Sequence, residues 1–372
     1  MTTGPPLSVV MPPTSKGVGP STCDLAHAYV IPHGRPLHTD PAEKCLEQQD
    51  FSTLLGASRL SRHLAPPETH PTPTRASMGR KRTRPPSKGE QTMTQPKASD
   101  QVLLINDMCG YGKVALAAML PVLSHMGFRI HNLPTAIVSD TLDYPEFYIQ
   151  DLTDYVNRAL EIWGHLGFEF DAISTGFIVT EEQATRIAAF CEERAARGTR
   201  VFVDPIMGDN GSLYAGVPES TIGHMRRLVA VADCTVPNYT EACLLTDTPM
   251  APAKEGITRT EADALVDKIR GVGAKSVVVT SSVVDGRHAV VGYDHLAGER
   301  FLIPFDEIPV YFPGTGDIFS SVLMGRVLQG RTLADATANA MDAVRQLIYL
   351  NQDQKDKAMG LPVEKYLSVV DR

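Results

Sequence analysis

A short glycine-bearing stretch late in the chain has the residue types that phosphate chemistry needs. Residues 313–317 read Pro-Gly-Thr-Gly-Asp, and an apolar run with helical spacing begins at Ile318. Gly314 and Gly316 let backbone N–H groups converge at the start of that predicted helix, where the helix dipole favours an anion. Asp317 stands beside this point. Its carboxylate either caps the helix or takes a proton from a substrate hydroxyl while the N–H groups hold a phosphoryl group.

Alternating strands and helices between residues 101 and 350 predict the sheet that must position this stretch. Short apolar runs read as strands, and they lie at residues 102–106, 128–133, 136–139, 171–176, 200–203, 234–236 and 276–280. Segments with helical spacing separate most of them, which indicates a mostly parallel sheet with helices on both faces. Residues 288–303 read as a hairpin at one edge of that sheet.

Polar and glycine residues follow most of the predicted strands. They are Asp107, Gly176, Asp204, Gly208, Asn238, Glu241, Thr280 and Ser281, and Asp317 lies in the last loop. Ligands of parallel sheets bind outside the carboxyl ends of the strands, so these residues are expected to collect on one rim. Such a gathering favours a catalytic role for Asp317 over a capping role.

Composition limits the class of protein. The chain has 372 residues, 43% of them hydrophobic, and a net charge of -8, which predicts a globular body. Its six cysteines are Cys23, Cys45, Cys109, Cys191, Cys234 and Cys243, and they form no CxxC pair. They read as reduced thiols of a cytoplasmic protein. The sequence shows no apolar run near the ~20 residues that span a bilayer, so no membrane partner is expected, and it shows no secretory signal.

Residues 1–100 differ from the rest and hold 15 of the 27 prolines. Because their apolar residues lack a sustained period, they read as a disordered tail before a folded domain at 101–372. Met78 and Met93 both precede the folded part, and the hypothesis follows that the natural chain starts at one of them. The basic cluster at residues 79–84 reads as a solvated charge run, and nucleic acid is not an expected partner because no stacking aromatic residues lie beside it.

The chain resembles the ribokinase-like small-molecule kinases at four motifs that occur in the order of that family. These are Asp-Pro-Ile-Met-Gly at 204–208, Pro-Asn-Tyr-Thr-Glu at 237–241, Thr-Ser at 280–281 and Gly-Thr-Gly-Asp at 314–317. The start of the folded part, residues 105–121 with Leu-Pro-Thr-Ala at 133–136, is most similar to bacterial pyridoxamine/pyridoxal kinases. The resemblance covers roughly residues 101–350. It implies a three-layer α/β/α fold with a central, mostly parallel sheet.

The resemblance also implies an activity, the phosphorylation by ATP of the 5′-hydroxymethyl group of pyridoxal, pyridoxamine or pyridoxine. Asp317 would be the base, and backbone N–H groups of Gly314, Thr315 and Gly316 would stabilise the transferred phosphoryl group. Asp204 and Glu241 would hold Mg²⁺, directly or through water. Residues at the matching nucleotide contacts are Tyr214, Asn238, Thr280 and Ser281, with Thr315. K⁺ is a further cofactor that the family suggests.

Structural alternatives exist for several of these residues. Glu241 also suits the first turn of a helix, where the dipole favours a negative charge. Asp204 also suits the end of a strand before Pro205. Tyr214 has the alternative of an ordinary aromatic residue at the rim, and Thr280 with Ser281 that of a plain strand end.

The resemblance assigns the vitamin ring to Asp107, Ser139, Thr141 and Phe177. Many B6 kinases have Ser in place of Asp107, Tyr in place of Phe177, and a histidine in the stretch around Ser139, which is missing here. An acidic Asp107 suits a cationic amine or a ring N–H⁺, which would favour pyridoxamine. The preferred vitamer is therefore open. The family further suggests a homodimer.

Two other functions remain as alternatives. A hydroxymethylpyrimidine kinase would share the fold and the role of Asp317, but such enzymes usually open with Gly-Ser-Asp-x-x-Gly-Gly-Ala-Gly, which residues 107–112 do not match. A non-catalytic B6-binding protein would not need the intact Asp317 and glycine loop. A nucleotide-dependent oxidoreductase is disfavoured because residues 110–115 lack the third glycine of G-x-G-x-x-G.

Overall fold

The computed structural model describes residues 8–10, 100–214, 216–252 and 255–371. In chain order its strands are β1 (Ser8–Val10), β2 (Gln101–Tyr111), β3 (Arg129–Asp140), β4 (Glu146–Asp151), β5 (Ala172–Thr175), β6 (Arg200–Val203), β7 (Gly208–Asp209), β8 (Ser212–Leu213), β9 (Cys234–Thr235), β10 (Ser276–Val284), β11 (Arg287–Asp294) and β12 (Glu299–Pro304). Its helices are α1 (Ala115–His125), α2 (Thr153–Leu166), α3 (Glu181–Ala195), α4 (Thr221–Val229), α5 (Tyr239–Thr246), α6 (Arg259–Val272), α7 (Thr315–Leu328) and α8 (Leu333–Asn351).

The described strands form one large sheet in the order β1-β4-β3-β2-β5-β6-β9-β10-β11-β12, and β7 with β8 forms a separate hairpin. Pairing is parallel from β3 to β10 and antiparallel at both ends, where β4 and β1 lie on one side and β11 and β12 on the other. The mostly parallel sheet and the edge hairpin that the sequence predicts are confirmed.

Helices cover both faces of the sheet, as the alternation along β2 shows. Leu103 and Ile105 are fully buried in a core shared with α2, α3, α4, α5 and α6. Val102 and Leu104 point to the opposite face and are buried against α1, α7 and α8. Since consecutive side chains of a strand point to opposite faces, a strand buried on both reads as an unbroken apolar run. The three-layer α/β/α arrangement is confirmed.

Several elements differ from the sequence prediction. β2 continues to Tyr111 through residues predicted to form a loop, and β3 is one strand where two were predicted. The prediction also lacked β4, α5 and the β7–β8 hairpin. The extended part of β2 pairs with β3, and β3 pairs with β4. Such pairing depends on distant residues and leaves no periodic pattern in the local sequence.

Other expectations have mixed outcomes. Cys109, Cys191, Cys234 and Cys243 are buried free thiols, whereas Cys23 and Cys45 lie outside the described residues. Within the described part of the chain, no helix is long and apolar enough to cross a membrane. The predicted disorder of residues 1–100 and the basic cluster at 79–84 fall outside the described residues, apart from β1 and Asp100.

Candidate active site

The turn before α7 has room for glycine alone at Gly314. This residue is the N-cap of α7 and has φ 81°, a left-handed conformation that side chains with a Cβ rarely adopt. A Cβ there would also overlap the backbone carbonyl oxygen of Lys113. By contrast, a Cβ on Gly316 would meet nothing within 4 Å. The backbone of α7 therefore begins against Lys113 and leaves open space in front of Gly316.

Asp317 does not cap its own helix. No side-chain hydrogen bond caps the start of α7, and the Oδ2 atom of Asp317 instead accepts a bond of 2.8 Å from the backbone N–H of Ala115. Its Oδ1 atom accepts a longer bond of 3.4 Å from Nδ2 of Asn106. Ala115 begins α1 and has a positive φ of 47°, a strained conformation for a residue other than glycine. The carboxylate thus lies between the starts of two helices.

Burial raises the pKa of Asp317 to about 6, and the hydrogen bonds from Ala115 and Asn106 partly offset this rise. The side chain is 8% exposed. A carboxylate whose pKa lies near the working pH can accept a proton in one step and release it in the next. The environment of Asp317 therefore suits a general base better than a purely structural carboxylate.

A cleft of about 1070 Å³ opens in front of α7. The predicted site residues that line it are Asp204, Tyr214, Asn238, Glu241, Thr280, Ser281, Gly314, Thr315, Gly316 and Asp317. Asp204 follows β6, Asn238 and Glu241 follow β9 at the start of α5, and Thr280 and Ser281 lie within β10. These three strands are neighbours in the sheet, and the remaining residues come from the end of the β7–β8 hairpin and the start of α7. Of the residues expected to collect on one rim, Asp204, Asn238, Glu241, Thr280, Ser281 and Asp317 line this cleft, whereas Asp107, Gly176 and Gly208 do not.

Asp204 lines the cleft and is held there by a residue of α7. Its Oδ2 atom accepts a hydrogen bond of 2.7 Å from Oγ of Ser320, one turn after Asp317. Burial raises the pKa of Asp204 to about 7, the bond from Ser320 lowers it, and the nearby charge of Asp317 adds to the rise. Oδ1 carries no protein hydrogen bond among the described residues, so it can serve a cationic ligand.

Glu241 is engaged by the backbone through both oxygens. Oε2 accepts a bond of 2.9 Å from the N–H of Asn238, and Oε1 one of 3.0 Å from the N–H of Met207. Asn238 in turn caps the N–H of Glu241, so the pair forms a capping box at the start of α5. Burial and the nearby Asp204 raise the pKa of Glu241, while the backbone bonds lower it. The alternative of a first-turn helix charge fits this geometry.

The other predicted nucleotide contacts lie around this box. Nδ2 of Asn238 donates to the backbone oxygen of Gly208 at 2.8 Å, so the amide ties the β7–β8 hairpin to α5. Tyr214 ends that hairpin and is half-buried, and burial beside Glu241 raises its pKa. Ser281 has a φ of 54° and lies with Thr280 at a bulge in β10. Among the described residues, no group of three or more His, Cys, Asp or Glu forms a ready metal cage.

On the other side of Asp317 lies Asp107, whose carboxylate forms no salt bridge among the described residues. It is 8% exposed, and burial, with a further contribution from Asp317, raises its pKa to about 7. Phe177 is buried nearby, and its backbone N–H donates to Oδ1 of Asn106 at 2.7 Å. Neither residue lines the large cleft.

Ser139 and Thr141 are tied into the fold. Oγ1 of Thr141 donates to the backbone oxygen of Ala358 at 2.7 Å, and the residue is 1% exposed. Oγ of Ser139 donates to Asp140 and accepts the N–H of Tyr148, both at 2.8 Å. The structure does not bring these two hydroxyls to the cleft, and their contact with a ring stays a prediction.

Sequence reasoning missed two polar residues beside the predicted base and metal site. Asn106 contacts Asp317, and Ser320 contacts Asp204. A signal for Asn106 was its place as the first polar residue after an apolar strand run, and one for Ser320 was its spacing of three from Asp317 on a helix. Also missed was the outer part of the cleft, which is lined by Phe305, Tyr311, Met341, Arg345 and Ile348.

A buried carboxylate at a glycine-bounded helix start, beside two further acidic residues in a three-layer α/β/α fold, defines a small-molecule kinase of the ribokinase-like class. The sequence model of the phosphomethylpyrimidine kinase family matches residues 113–362. The chain therefore belongs to the phosphomethylpyrimidine kinase family, and the prediction of a kinase is confirmed.

Relatives with described activities are similar to most of the folded domain. A pyridoxine/pyridoxal/pyridoxamine kinase of Bordetella pertussis is 27% identical over 252 residues, which is 64% of this chain and 85% of the relative. A pyridoxal kinase of Arabidopsis thaliana is 28% identical over 63% of this chain and 76% of its own length. A solved Bacteroides thetaiotaomicron structure, described as a phosphomethylpyrimidine kinase and determined with pyridoxal, is 30% identical with a TM-score of 0.69, covering 74% of this chain and 96% of that one.

Proposed function

We propose that this protein transfers the γ-phosphoryl group of ATP to the 5′-hydroxymethyl group of a B6 vitamer, namely pyridoxal, pyridoxamine or pyridoxine. The observation that carries the proposal is the buried carboxylate of Asp317 at the mouth of α7, facing a cleft of about 1070 Å³. The names of the Bordetella and Arabidopsis relatives and the pyridoxal of the Bacteroides structure support the choice of substrate.

Asp317 accepts the proton of the substrate hydroxyl as its oxygen attacks the γ-phosphorus. The new P–O bond forms while the bond to the leaving ADP oxygen breaks. Backbone N–H groups of Thr315 and Gly316 stabilise the charge on the phosphoryl oxygens, since the first turn of a helix leaves such groups without intrahelical partners. Positioning and electrostatic stabilisation supply most of the rate enhancement in phosphoryl transfer.

The acidic residues of the cleft fit a magnesium ion. Oδ1 of Asp204 is a hard oxygen donor with no other protein partner among the described residues. The negative charge of Asp204 adds to the burial that raises the pKa of Glu241. Because both oxygens of Glu241 already accept backbone N–H groups, Asp204 would hold the ion directly and Glu241 would act through water. Mg²⁺, when bound, neutralises phosphate charge and retains several waters. A K⁺ requirement stays a prediction.

The ring of the vitamin is placed beside Asp107 and Phe177. The Asp107 carboxylate is buried without a cationic partner among the described residues, and such a group is stabilised by a ligand that brings a positive charge. Pyridoxamine has a 4′-ammonium group that pyridoxal and pyridoxine lack. We therefore expect a preference for pyridoxamine. Tyr214, Thr280 and Ser281 would contact the nucleotide.

A hydroxymethylpyrimidine kinase is the second candidate, because the family that matches the chain is named for a phosphorylated pyrimidine. The same base and helix mouth would serve that substrate. A non-catalytic B6-binding protein is the third, and it would bind vitamers without consuming ATP. We also propose that the protein forms a homodimer and acts in the cytoplasm.

ADP release by the full-length protein with Mg-ATP tests these functions together. Pyridoxal, pyridoxamine, pyridoxine and hydroxymethylpyrimidine are offered in parallel, and Asp317→Asn is the control. Turnover of a B6 vitamer that the control lacks supports the proposal. Turnover of hydroxymethylpyrimidine alone supports the second candidate, and vitamer binding without ADP release supports the third.

A further inference from the structure

Asn106 lies buried between the end of β2 and the predicted base. It is 2% exposed, and its side chain contacts residues from three other parts of the chain. Nδ2 lies 3.4 Å from Oδ1 of Asp317 and 3.5 Å from Sδ of Met119. Oδ1 accepts the backbone N–H of Phe177 at 2.7 Å and that of Asp107 at 3.0 Å. The side chain therefore joins the predicted ring contacts to the predicted base.

These contacts settle which end of the amide faces Asp317. Two backbone N–H groups can bond only to the oxygen end, so the nitrogen end must point the other way. That direction leads to Asp317, whose ionised carboxylate can only accept. An aspartate at this position would keep both acceptor contacts and lose the donor, which makes the two functions of the side chain separable.

The surrounding backbone leaves the amide no alternative position. A Cβ on Gly176 would lie 2.5 Å from the amide atoms of Asn106, so the chain after β5 passes directly against it. Phe177, the residue after Gly176, is held by Thr135, whose Oγ1 donates to the backbone oxygen of Phe177 at 2.7 Å. Asn106 is thus held on one side by a glycine that has no room for a side chain and on the other by Asp317.

We propose that Asn106 is a positioning residue for catalysis, whose amide N–H orients the carboxylate of Asp317 toward the substrate hydroxyl and favours its ionised form. The inference rests on the proposed function, in which Asp317 is the base. Ala115 holds Oδ2 through the shorter bond, so Oδ1, beside Asn106, is the oxygen that accepts the proton. No motif of the kinase resemblance assigned a role to Asn106.

The charged and titratable groups that face Asp317 make this donor important. Asp107 lies toward the end of β2 and Asp204 after β6, and the negative charge of Asp317 raises the pKa of each. Cys109 is also close enough for the charge of Asp317 to raise its pKa. The bonds from Ala115 and Asn106 are the two contacts that lower the pKa of Asp317. Without Asn106, only the backbone N–H of Ala115 would oppose the rise in pKa that burial causes at Asp317.

The test compares wild type with Asn106→Asp by carbon-13 NMR titration of the Asp317 carboxyl in the ligand-free protein, assigned with Asp317→Asn. The expected midpoint is near 6 in wild type and about one unit higher in the variant, which loses a donor and gains a nearby charge. The pH profile of kcat/KM for the best vitamer is measured alongside. Its acid limb moves in the same direction, so kcat/KM at pH 6 falls about fivefold and recovers toward pH 8.5.

Two further variants separate positioning from general damage. Gly176→Ala pushes the amide from the opposite side and is expected to raise the midpoint as well. Thr135→Val removes a bond to the same loop without touching Asn106 or Asp317, and its midpoint should match wild type. A midpoint unchanged in both Asn106→Asp and Gly176→Ala overturns the inference. Absence of turnover on every substrate with a shifted NMR midpoint instead contradicts the proposed function alone.

Discussion

The two halves of the site differ in how their residues are held. On the proposed phosphate side, Gly314, Thr315 and Gly316 would act through the backbone of one helix start, and Asp204 is held by a single side-chain bond from Ser320. On the ring side, the hydroxyl groups of Ser139 and Thr141 are engaged by the β3–β4 region and by Ala358. The glycine turn of the proposed phosphate side is therefore local in sequence, whereas the Ser320–Asp204 bond and the proposed ring contacts join segments far apart in the chain.

This difference teaches which residues tolerate exchange. A phosphate is bound in the same way whatever alcohol accepts it, so the helix start and its glycines have little freedom. A ring can be held by several arrangements of side chains, and the departures at Asp107 and Phe177 fall on that side. We expect changes on the phosphate side to reduce all turnover and changes on the ring side to redistribute it among the vitamers.

Asp317 belongs to both halves, and its removal is expected to have the largest effect. Asp317→Asn keeps the shape and the acceptor for Ala115 but cannot take a proton. Steady-state ADP release should fall by about 10²–10⁴-fold, the usual contribution of a positioned base. Calorimetric titration should show an ATP affinity within about threefold of wild type. The substitution removes a proton acceptor but no group that contacts the phosphates. Retained turnover would refute the assignment of the base.

The same variant is expected to be more stable at neutral pH. Folding raises the pKa of Asp317 from 3.8 to about 6, so the folded state binds the proton more tightly than the unfolded chain. Ionisation of Asp317 therefore lowers the free energy of unfolding as the pH rises from 3.8, and this loss reaches its full size above about pH 6. Melting temperatures should show Asp317→Asn several degrees above wild type at pH 8, with the gap closing toward pH 4. A constant gap would show that the charge is not its cause.

The two glycines of the helix start offer a matched pair on the phosphate side. Gly316→Ala places its Cβ in open space, so the protein should melt like wild type, while kcat falls about 10²-fold for every vitamer because the methyl group displaces the phosphoryl group. Gly314→Ala overlaps Lys113 and demands a positive φ, so it should lower the melting temperature as well. Equal melting of both variants would contradict the geometry of the turn.

Asp204 and Glu241 test whether the phosphate side also holds the metal. Asp204→Asn should raise the Mg²⁺ concentration for half-maximal rate by about tenfold, because Oδ1 loses its charge. Glu241→Gln leaves one acceptor for the backbone and should cost about 1 kcal/mol in urea unfolding through the weakened capping box. Its Mg²⁺ dependence should change less than that of Asp204→Asn. The reverse order would make Glu241 the direct ligand.

The glycine turn before α7 could be read from the sequence because its determinants are short. Gly314 to Asp317 are contiguous. The capping box of Asn238 and Glu241 was not predicted, although the two residues have its three-residue spacing. The order of the strands followed from the alternation of apolar runs with helices. What remained hidden was the orientation of each carboxylate, such as that of Asp317 toward Ala115 of another helix.

The ring side resisted prediction for a physical reason. Thr141 bonds to Ala358, which is 217 residues away in sequence, and no local pattern reports such a contact. The extension of β2 to Tyr111 and the presence of β4 depend on strand pairing that forms only in the folded chain. Asn106 was visible as a polar residue at a strand end, but its partner Asp317 is 211 residues further on.

The smallest expected effect lies on the ring side and separates Asp107 from Thr141. Asp107→Ser removes the buried charge, and only pyridoxamine brings a 4′-ammonium group that this charge would attract. The ratio of kcat/KM for pyridoxamine to kcat/KM for pyridoxine should therefore decrease by a factor of up to about ten. Thr141→Val loses its bond to Ala358 and should cost about 1 kcal/mol of stability while leaving that ratio unchanged. An equal loss for both vitamers in Asp107→Ser would direct the carboxylate to the ring N–H⁺ that they share. A changed ratio of kcat/KM in Thr141→Val would instead indicate that this hydroxyl contacts the ring. The bond from Thr141 to Ala358 would then not be its only role, and the contrast between the two sides of the site would be smaller.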